Sequence, residues 1–156
     1  MDMVDTERYA RHISLPDVGI TGQKLIDDSR VLVVGAGGLG SPVLMYLAAA
    51  GIGHIGVVDD DAVDLSNLQR QIIHSESAIG RPKVESAKER INSINSAIKV
   101  TTWNARLSPD NAEEILCDWD IVIDGTDNIP TRYLVDDICN LLGIPWIYGS
   151  IYRFEG

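Results

Sequence analysis

Residues 31–40 read Val31-Leu32-Val33-Val34-Gly35-Ala36-Gly37-Gly38-Leu39-Gly40, and this stretch decides the fold. Four consecutive aliphatic residues without polar alternation predict a strand covered on both faces, as in a parallel sheet. The glycines form a G-x-G-x-x-G. Its first glycine permits a tight turn, its second lets a ligand approach the backbone, and its third lets a helix pack close to the sheet. Residues 39–50 have the composition of that helix, and Ile55-Gly56-Val57-Val58 predicts a second strand ending at Asp59, so the whole unit fits within the 29 residues 31–59.

Working outward, periodicity and caps predict helices over residues 6–13 (capped by Thr6), 21–27, 83–93, 110–117 and 131–142, the last closed by Gly143. Further strands are expected at 100–103, 121–123 and 146–148. Strands separated by helices imply right-handed crossovers. The expected fold class is therefore α/β: a doubly wound, Rossmann-like, mostly parallel sheet preceded by two short N-terminal helices. Residues 1–156 are read as one domain with residues 1–29 as a helical arm, and residues 149–156 read as the beginning of another strand, so the chain is expected to be truncated on its C-terminal side.

Composition narrows the function classes. With 45% hydrophobic and 23% charged residues the chain is ordinary globular material, which excludes disorder and collagen-like repeats. Lys plus Arg number 13 against 23 Asp plus Glu, a net charge of −10, and that field repels DNA, RNA and anionic lipid. Two cysteines, Cys117 and Cys139, form neither a disulfide framework nor a C-x-x-C pair, and both are expected to be inert buried thiols. The acidic start is not a signal peptide. The longest nearly apolar stretch, residues 43–58, is interrupted by Gly51, Gly53, His54 and Gly56 and is shorter than a membrane helix requires. No nucleic acid and no membrane are expected as partners, and the reducing cytoplasm is the expected location.

Doubly wound sheets bind ligands beyond the carboxyl ends of their strands, where strand order reverses. After strand one stand Gly35, Gly37, Gly38 and Gly40, where free N–H groups and a helix dipole favour an anion. Asp59, 19 residues beyond Gly40, is placed to bind ribose hydroxyls. These features fit NAD, FAD and ATP alike. The next segment carries Asp61, Asp64, Ser66-Asn67-Leu68-Gln69-Arg70-Gln71 and Arg81-Pro82-Lys83, placing three cations where a dehydrogenase of the usual kind needs none. Arg70 offers a planar fork and Lys83 a mobile point charge, both suited to a triphosphate; Arg81 and Lys88 read as solvated surface cations. After strand four, Asp127 can hold Mg²⁺ directly or through water, whereas Asn128 suits a helix cap as well as a ligand.

Taken together, the glycine turn, Asp59-Asp60-Asp61, Leu65-Ser66-Asn67-Leu68-Gln69-Arg70-Gln71, Gly80-Arg81-Pro82-Lys83 and Asp127-Asn128-x-x-x-Arg132 resemble the ThiF/MoeB/HesA adenylyltransferases, relatives of ubiquitin-activating enzymes. Arg8-Tyr9-x-Arg11 and Gly22-Gln23 match as well, so the resemblance covers essentially the whole chain. It implies ATP-dependent adenylation of the C-terminal Gly-Gly carboxylate of a small β-grasp sulfur-carrier protein, of the molybdopterin, thiamine or thiolation type. It also implies roles: Gly38 against the nucleotide; Asp59 on the ribose; Asn67, Arg70 and Lys83 on the phosphates; Asp127 on Mg²⁺. Gly35, Gly37, Gly40, Asp61, Ser66, Gln69 and Asn128 complete the expected site. Arg11, by its residue type an exposed helix cation, would reach into a partner subunit's site and so implies a homodimer. Zinc is expected only in a C-terminal part beyond Gly156. Two alternatives remain at this point: an NAD-dependent oxidoreductase, and a non-catalytic nucleotide-binding module.

Overall fold

A computed structural model describes residues 4–151, 153, 155 and 156. Its five strands are β1 (Arg30–Val34), β2 (His54–Val58), β3 (Lys99–Trp103), β4 (Ile121–Asp124) and β5 (Trp146–Tyr148). They pair in parallel in the order β3-β2-β1-β4-β5. The chain moves outward from β1 to β3 and then returns to the other side of β1, so strand order reverses between β1 and β4. That is where the doubly wound fold opens a crevice at the strands' carboxyl ends.

Alternation along β1 feeds two cores. Val31 and Val33 pack with Leu44 and Ala48 of α3 (Gly40–Ala50) and with Val84 and Ile91 of α4 (Lys83–Ile94). Leu32 and Val34 face the opposite way, onto Leu116 of α5 (Ala112–Leu116), Trp119, Val122, and Val135 and Cys139 of α6 (Ile129–Leu142). Successive strand side chains point to opposite faces, so a run apolar at every position requires helices on both. Gly143, at φ 69°, ends α6 in the left-handed conformation, as expected of a C-terminal glycine.

The two N-terminal helices are α1 (Ala10–Ile13) and α2 (Gly19–Asp28). Polar contacts fasten their arm to the sheet's helices. Asn95 Nδ2 donates to the Tyr9 hydroxyl (2.8 Å) and Arg8 Nη1 to the Ile94 carbonyl (3.1 Å). Fully buried Gln23 donates to the Ala50 carbonyl (3.0 Å) and accepts from His12 Nδ1 (2.8 Å). These anchors lie at the C-terminal ends of α3 and α4, just before β2 and β3 begin, so the arm sits at the amino-end side of the sheet.

Several expectations are corrected. Asp5, not Thr6, caps the first turn: its carboxylate accepts from Arg8 N at 2.9 Å, and regular helix begins only at Ala10. The fifth helix is shorter than expected because Ser108 N donates to Asn111 Oδ1, closing a turn ahead of Ala112. Cys117 is exposed, since Ala112, Ile115 and Leu116 occupy the inward face and the next position turns toward solvent. Cys139 is buried as expected. Residues 149–151 form no strand; Tyr152 and Phe154, on which the expected extra strand also rests, lie outside the described residues. No helix among the described residues is long and apolar enough to cross a membrane.

The glycine turn shows the tightest packing. Gly35 has φ 94°, a conformation that L side chains rarely adopt. A Cβ on Gly40 would collide with the Gly35 carbonyl oxygen, which is backbone and cannot move aside cheaply. Gly40→Ala is therefore expected to destabilise the chain by about 2 kcal/mol, seen in thermal melts as a Tm lowered by about 5 °C.

Candidate functional site

A cleft of about 690 Å³ opens at the carboxyl ends of the strands, within the range typical of small-molecule sites. Gly35, Gly37 and Gly38 after β1, Asp59 to Asp61 after β2, and Gly125 to Asn128 after β4 all border it. Its outer wall is the segment between β2 and α4, which contributes Asn67, Arg70 and Gln71, together with Lys83 at the start of α4.

Asp59 ties this arrangement together. One carboxylate oxygen accepts from the Ala36 N–H (2.8 Å) and the other from the Asp61 N–H (2.9 Å), fastening the end of β2 to the glycine turn. Burial pushes its pKa above the ordinary carboxylate range, while these two N–H donors and Lys83 pull it back. Lys83 is delivered to the same place by a local antiparallel contact. Val63 N donates to Arg81 O, Lys83 N donates to Asp61 O, and Ala62 bridges to Pro82. Lys83 Nζ then pairs with Asp61 Oδ2 at 2.7 Å; the lysine side chain is 6% exposed and the aspartate 67%. An ammonium this buried requires its partner. With Asp61 as the counter-ion, the charge stays fixed on the cleft wall.

Arg70 lies over Gly38, its aliphatic stem about 3.5 Å from where a Cβ would be, while Gly37 faces only Gln71 at that range. A side chain at Gly37 or Gly38 would occupy the space between glycine turn and outer wall. Asp127 is exposed at the rim, and its carboxylate has no hydrogen bond or ion pair among the described residues. It is thus available to a cation together with ligand oxygens. Asp59, Asp60 and Asp61 also bring oxygens within 4.8 Å of one another, but backbone donors and Lys83 already engage two of the three.

Four expected residues are not brought to the cleft surface. Gly40 is buried behind the turn. Ser66 gives its hydroxyl and its N–H to Asp64, which caps the 3-10 turn Leu65–Asn67. Gln69 reaches back to the Ser66 carbonyl. Arg11 is exposed on α1, at the opposite end of the sheet. Asn128 does line the cleft, and its side chain also caps α6 by accepting from Thr131 N at 3.0 Å. Arg81 pairs with Glu89 on the surface, as expected.

The structure adds residues that site reasoning from the sequence missed. Gln71 is 4% exposed, and its Oε1 is buried without a partner at the cleft. Arg132 donates to the Thr126 carbonyl and the Tyr148 hydroxyl, both at 2.8 Å, and stacks 5.0 Å from the Tyr148 ring centre, bracing the loop that presents Asp127. Asp124 is fully buried and accepts from the N–H and hydroxyl of Thr126, shaping the same loop. Arg106 and Leu107 after β3 complete the cleft. Gln71 and Arg132 both stand inside the spaced pattern, which was the available signal; nothing local marks Arg106.

Comparison with known proteins agrees with this geometry. The chain is 54% identical over 152 residues to the probable adenylyltransferase/sulfurtransferase MoeZ of Mycobacterium tuberculosis, covering 97% of this chain and 39% of MoeZ. It is 47% identical to the sulfur carrier protein adenylyltransferase of Thermus thermophilus, covering 97% of this chain and 56% of that protein. Among solved structures, the E. coli tRNA N6-threonylcarbamoyladenosine dehydratase TcdA in complex with ATP superposes with a TM-score of 0.87 at 31% identity, covering 97% of this chain and 65% of that one. The chain thus spans about two fifths to three fifths of the length of these curated relatives. The ThiF family pattern matches residues 9–156, from the docked arm through every strand end that builds the cleft, and the chain belongs to the ThiF family.

Proposed function

We propose that this chain is the nucleotide-binding part of an enzyme that adenylates the C-terminal Gly-Gly carboxylate of a ubiquitin-like sulfur-carrier protein. The observation that carries the reading is the presence of Arg70, Lys83 and Asp127 in one cleft with Gly37 and Gly38, where no Cβ intrudes. An NAD-dependent oxidoreductase leaves Arg70, Lys83 and Asp127 unexplained. The names of the relatives point the same way.

ATP in this cleft is a substrate. Asp59 would hold its ribose, the glycine turn and the start of α3 would face the phosphates, and Asn67, Arg70 and Lys83 would balance their charge. Mg²⁺, held through Asp127 and phosphate oxygens, would supply further charge neutralisation. A carboxylate oxygen of the carrier attacks the α-phosphorus; the bond from that phosphorus to its bridging oxygen breaks, pyrophosphate departs, and an acyl-adenylate remains. The step depends on in-line placement and neutralisation of charge rather than on a protein nucleophile. Cys139 does not supply one, being buried with its thiol pushed up to about 11. Arg11, carried away from its own chain's cleft, acts across a homodimer. The cytoplasm is the proposed location.

Three measurements test this reading. Calorimetric titration of the chain should show ATP binding that tightens with Mg²⁺, and equal or tighter binding of NADH would favour the oxidoreductase instead. In the full-length protein, Arg70→Ala and Asp127→Ala should each lower carrier-dependent ATP–pyrophosphate exchange by about 100-fold or more; wild-type rates would remove both residues from the mechanism. Mixing an Arg11→Ala chain with an Asp127→Ala chain should restore part of the exchange, because one site of the heterodimer then has both groups intact. No recovery in a verified heterodimer would exclude the role of Arg11 across the interface.

A further inference from the structure

His74 lies behind the glycine turn and does not border the nucleotide cleft. It is buried, 8% exposed, with both ring nitrogens engaged: Nε2 is 2.9 Å from the Ala36 carbonyl oxygen and Nδ1 is 2.9 Å from the Ser86 hydroxyl. A carbonyl oxygen only accepts, so Nε2 carries the proton. In the neutral ring Nδ1 is then the acceptor and Ser86 the donor. Burial favours that neutral ring by lowering the pKa of His74.

The other side of Ala36 is held as well, since its N–H donates to Asp59. Both hydrogen-bonding groups of one residue in the turn are therefore fixed, one from the end of β2 and one from the segment leading to α4. The peptide joining Ala36 to Gly37 is planar and trans, so its C=O and N–H point in opposite directions. With the carbonyl held by His74, the Gly37 N–H is turned the other way. Gly37 borders the cleft, and its N–H has no hydrogen-bond partner among the described residues.

We propose that His74 is a positioning residue for the nucleotide cleft: by holding the Ala36 carbonyl it sets the plane of the peptide joining Ala36 to Gly37 and so aims the Gly37 N–H at the bound phosphate or ribose. The inference rests on the nucleotide reading above. It assigns His74 no contact with the ligand and no proton transfer. The segment between β2 and α4 thus acts twice, presenting Arg70 to the ligand on one side and orienting the opposing glycine turn on the other.

The donor position separates this role from simple packing. A Gln side chain carries its amide nitrogen about as far from the backbone as histidine Nε2, whereas an Asn amide reaches only to the place of Nδ1. In the full chain, His74→Gln should keep Mg-ATP affinity within about threefold of wild type by calorimetry, while His74→Asn should weaken it about tenfold. Without ligand, amide exchange at Ala36, whose N–H is bonded to Asp59, should quicken in His74→Asn and stay near wild type in His74→Gln. His74→Met, which fills the volume without a donor, should behave like His74→Asn and replaces it should the Asn chain fail to fold. Wild-type binding and exchange in the Asn or Met variant, or equal losses in Gln and Asn, would overturn the inference. Should wild type bind no Mg-ATP while exchange follows the expected pattern, the nucleotide reading fails and the assignment of His74 to the turn stands.

Discussion

The burial of β1 on both faces is the constraint on which the rest depends. Val31, Leu32, Val33 and Val34 are each no more than 3% exposed. A strand of this kind is stable only between two layers of helix, and each burial of a large aliphatic side chain contributes about 1.5–3 kcal/mol. Covering both faces from one continuous chain forces it outward on one side of β1 and back on the other. The reversal leaves a crevice beyond β1 that no crossover helix fills, with Gly35, Gly37 and Gly38 at its floor. The location of the cleft is thus a consequence of core formation, and the polar residues at the strand ends inherit it.

Electrostatics then sets what such a crevice can hold. The chain carries a net charge of −10, so an anionic ligand meets a repulsive field everywhere except where cations are concentrated. Lys83 is kept at the cleft despite its burial because Asp61 balances it, and Asp61 is held in turn through its backbone N–H by Asp59. One short acidic run after β2 therefore fixes the glycine turn, anchors a cation and borders the cleft. Removal of Asp59 or Asp61 would disturb the other functions through shared hydrogen bonds, because buried polar groups bear the full cost of losing a partner.

Fold and site were legible to different degrees. β1, β2, β4 and the glycine turn stand out because aliphatic runs ending in Gly or Asp are local signals, whereas β3, Lys99–Trp103, has a weaker pattern. Asp59, Lys83 and Asp127 are legible as candidates because each follows a strand or opens a helix, and Arg70 because it is a cation embedded in an amide-rich run. Ser66 and Gln69 carry suitable chemistry at suitable spacing, yet their side chains are spent on the 3-10 turn that presents Asn67 and Arg70. Cys117 is exposed despite its sequence for a similar reason: an apolar neighbourhood in sequence does not specify which way a residue at the end of a short helix turns.

By itself the sequence determined the layer architecture, the position of the glycine turn and the residue types available to a nucleotide, since these follow from periodicity, backbone permissiveness and charge. Tertiary structure alone decided which of those residues meet. His74 contacts Ala36 across 38 positions, Lys83 contacts Asp61 across 22, and Arg132 reaches Tyr148 across 16. Pairings at such separations depend on how a parallel sheet brings the ends of distant strands together, and on buried donors and acceptors finding one another once water is excluded. That physics assigns Ser66 and Gln69 to support and His74 to the turn, a distinction carried by no spacing along the chain.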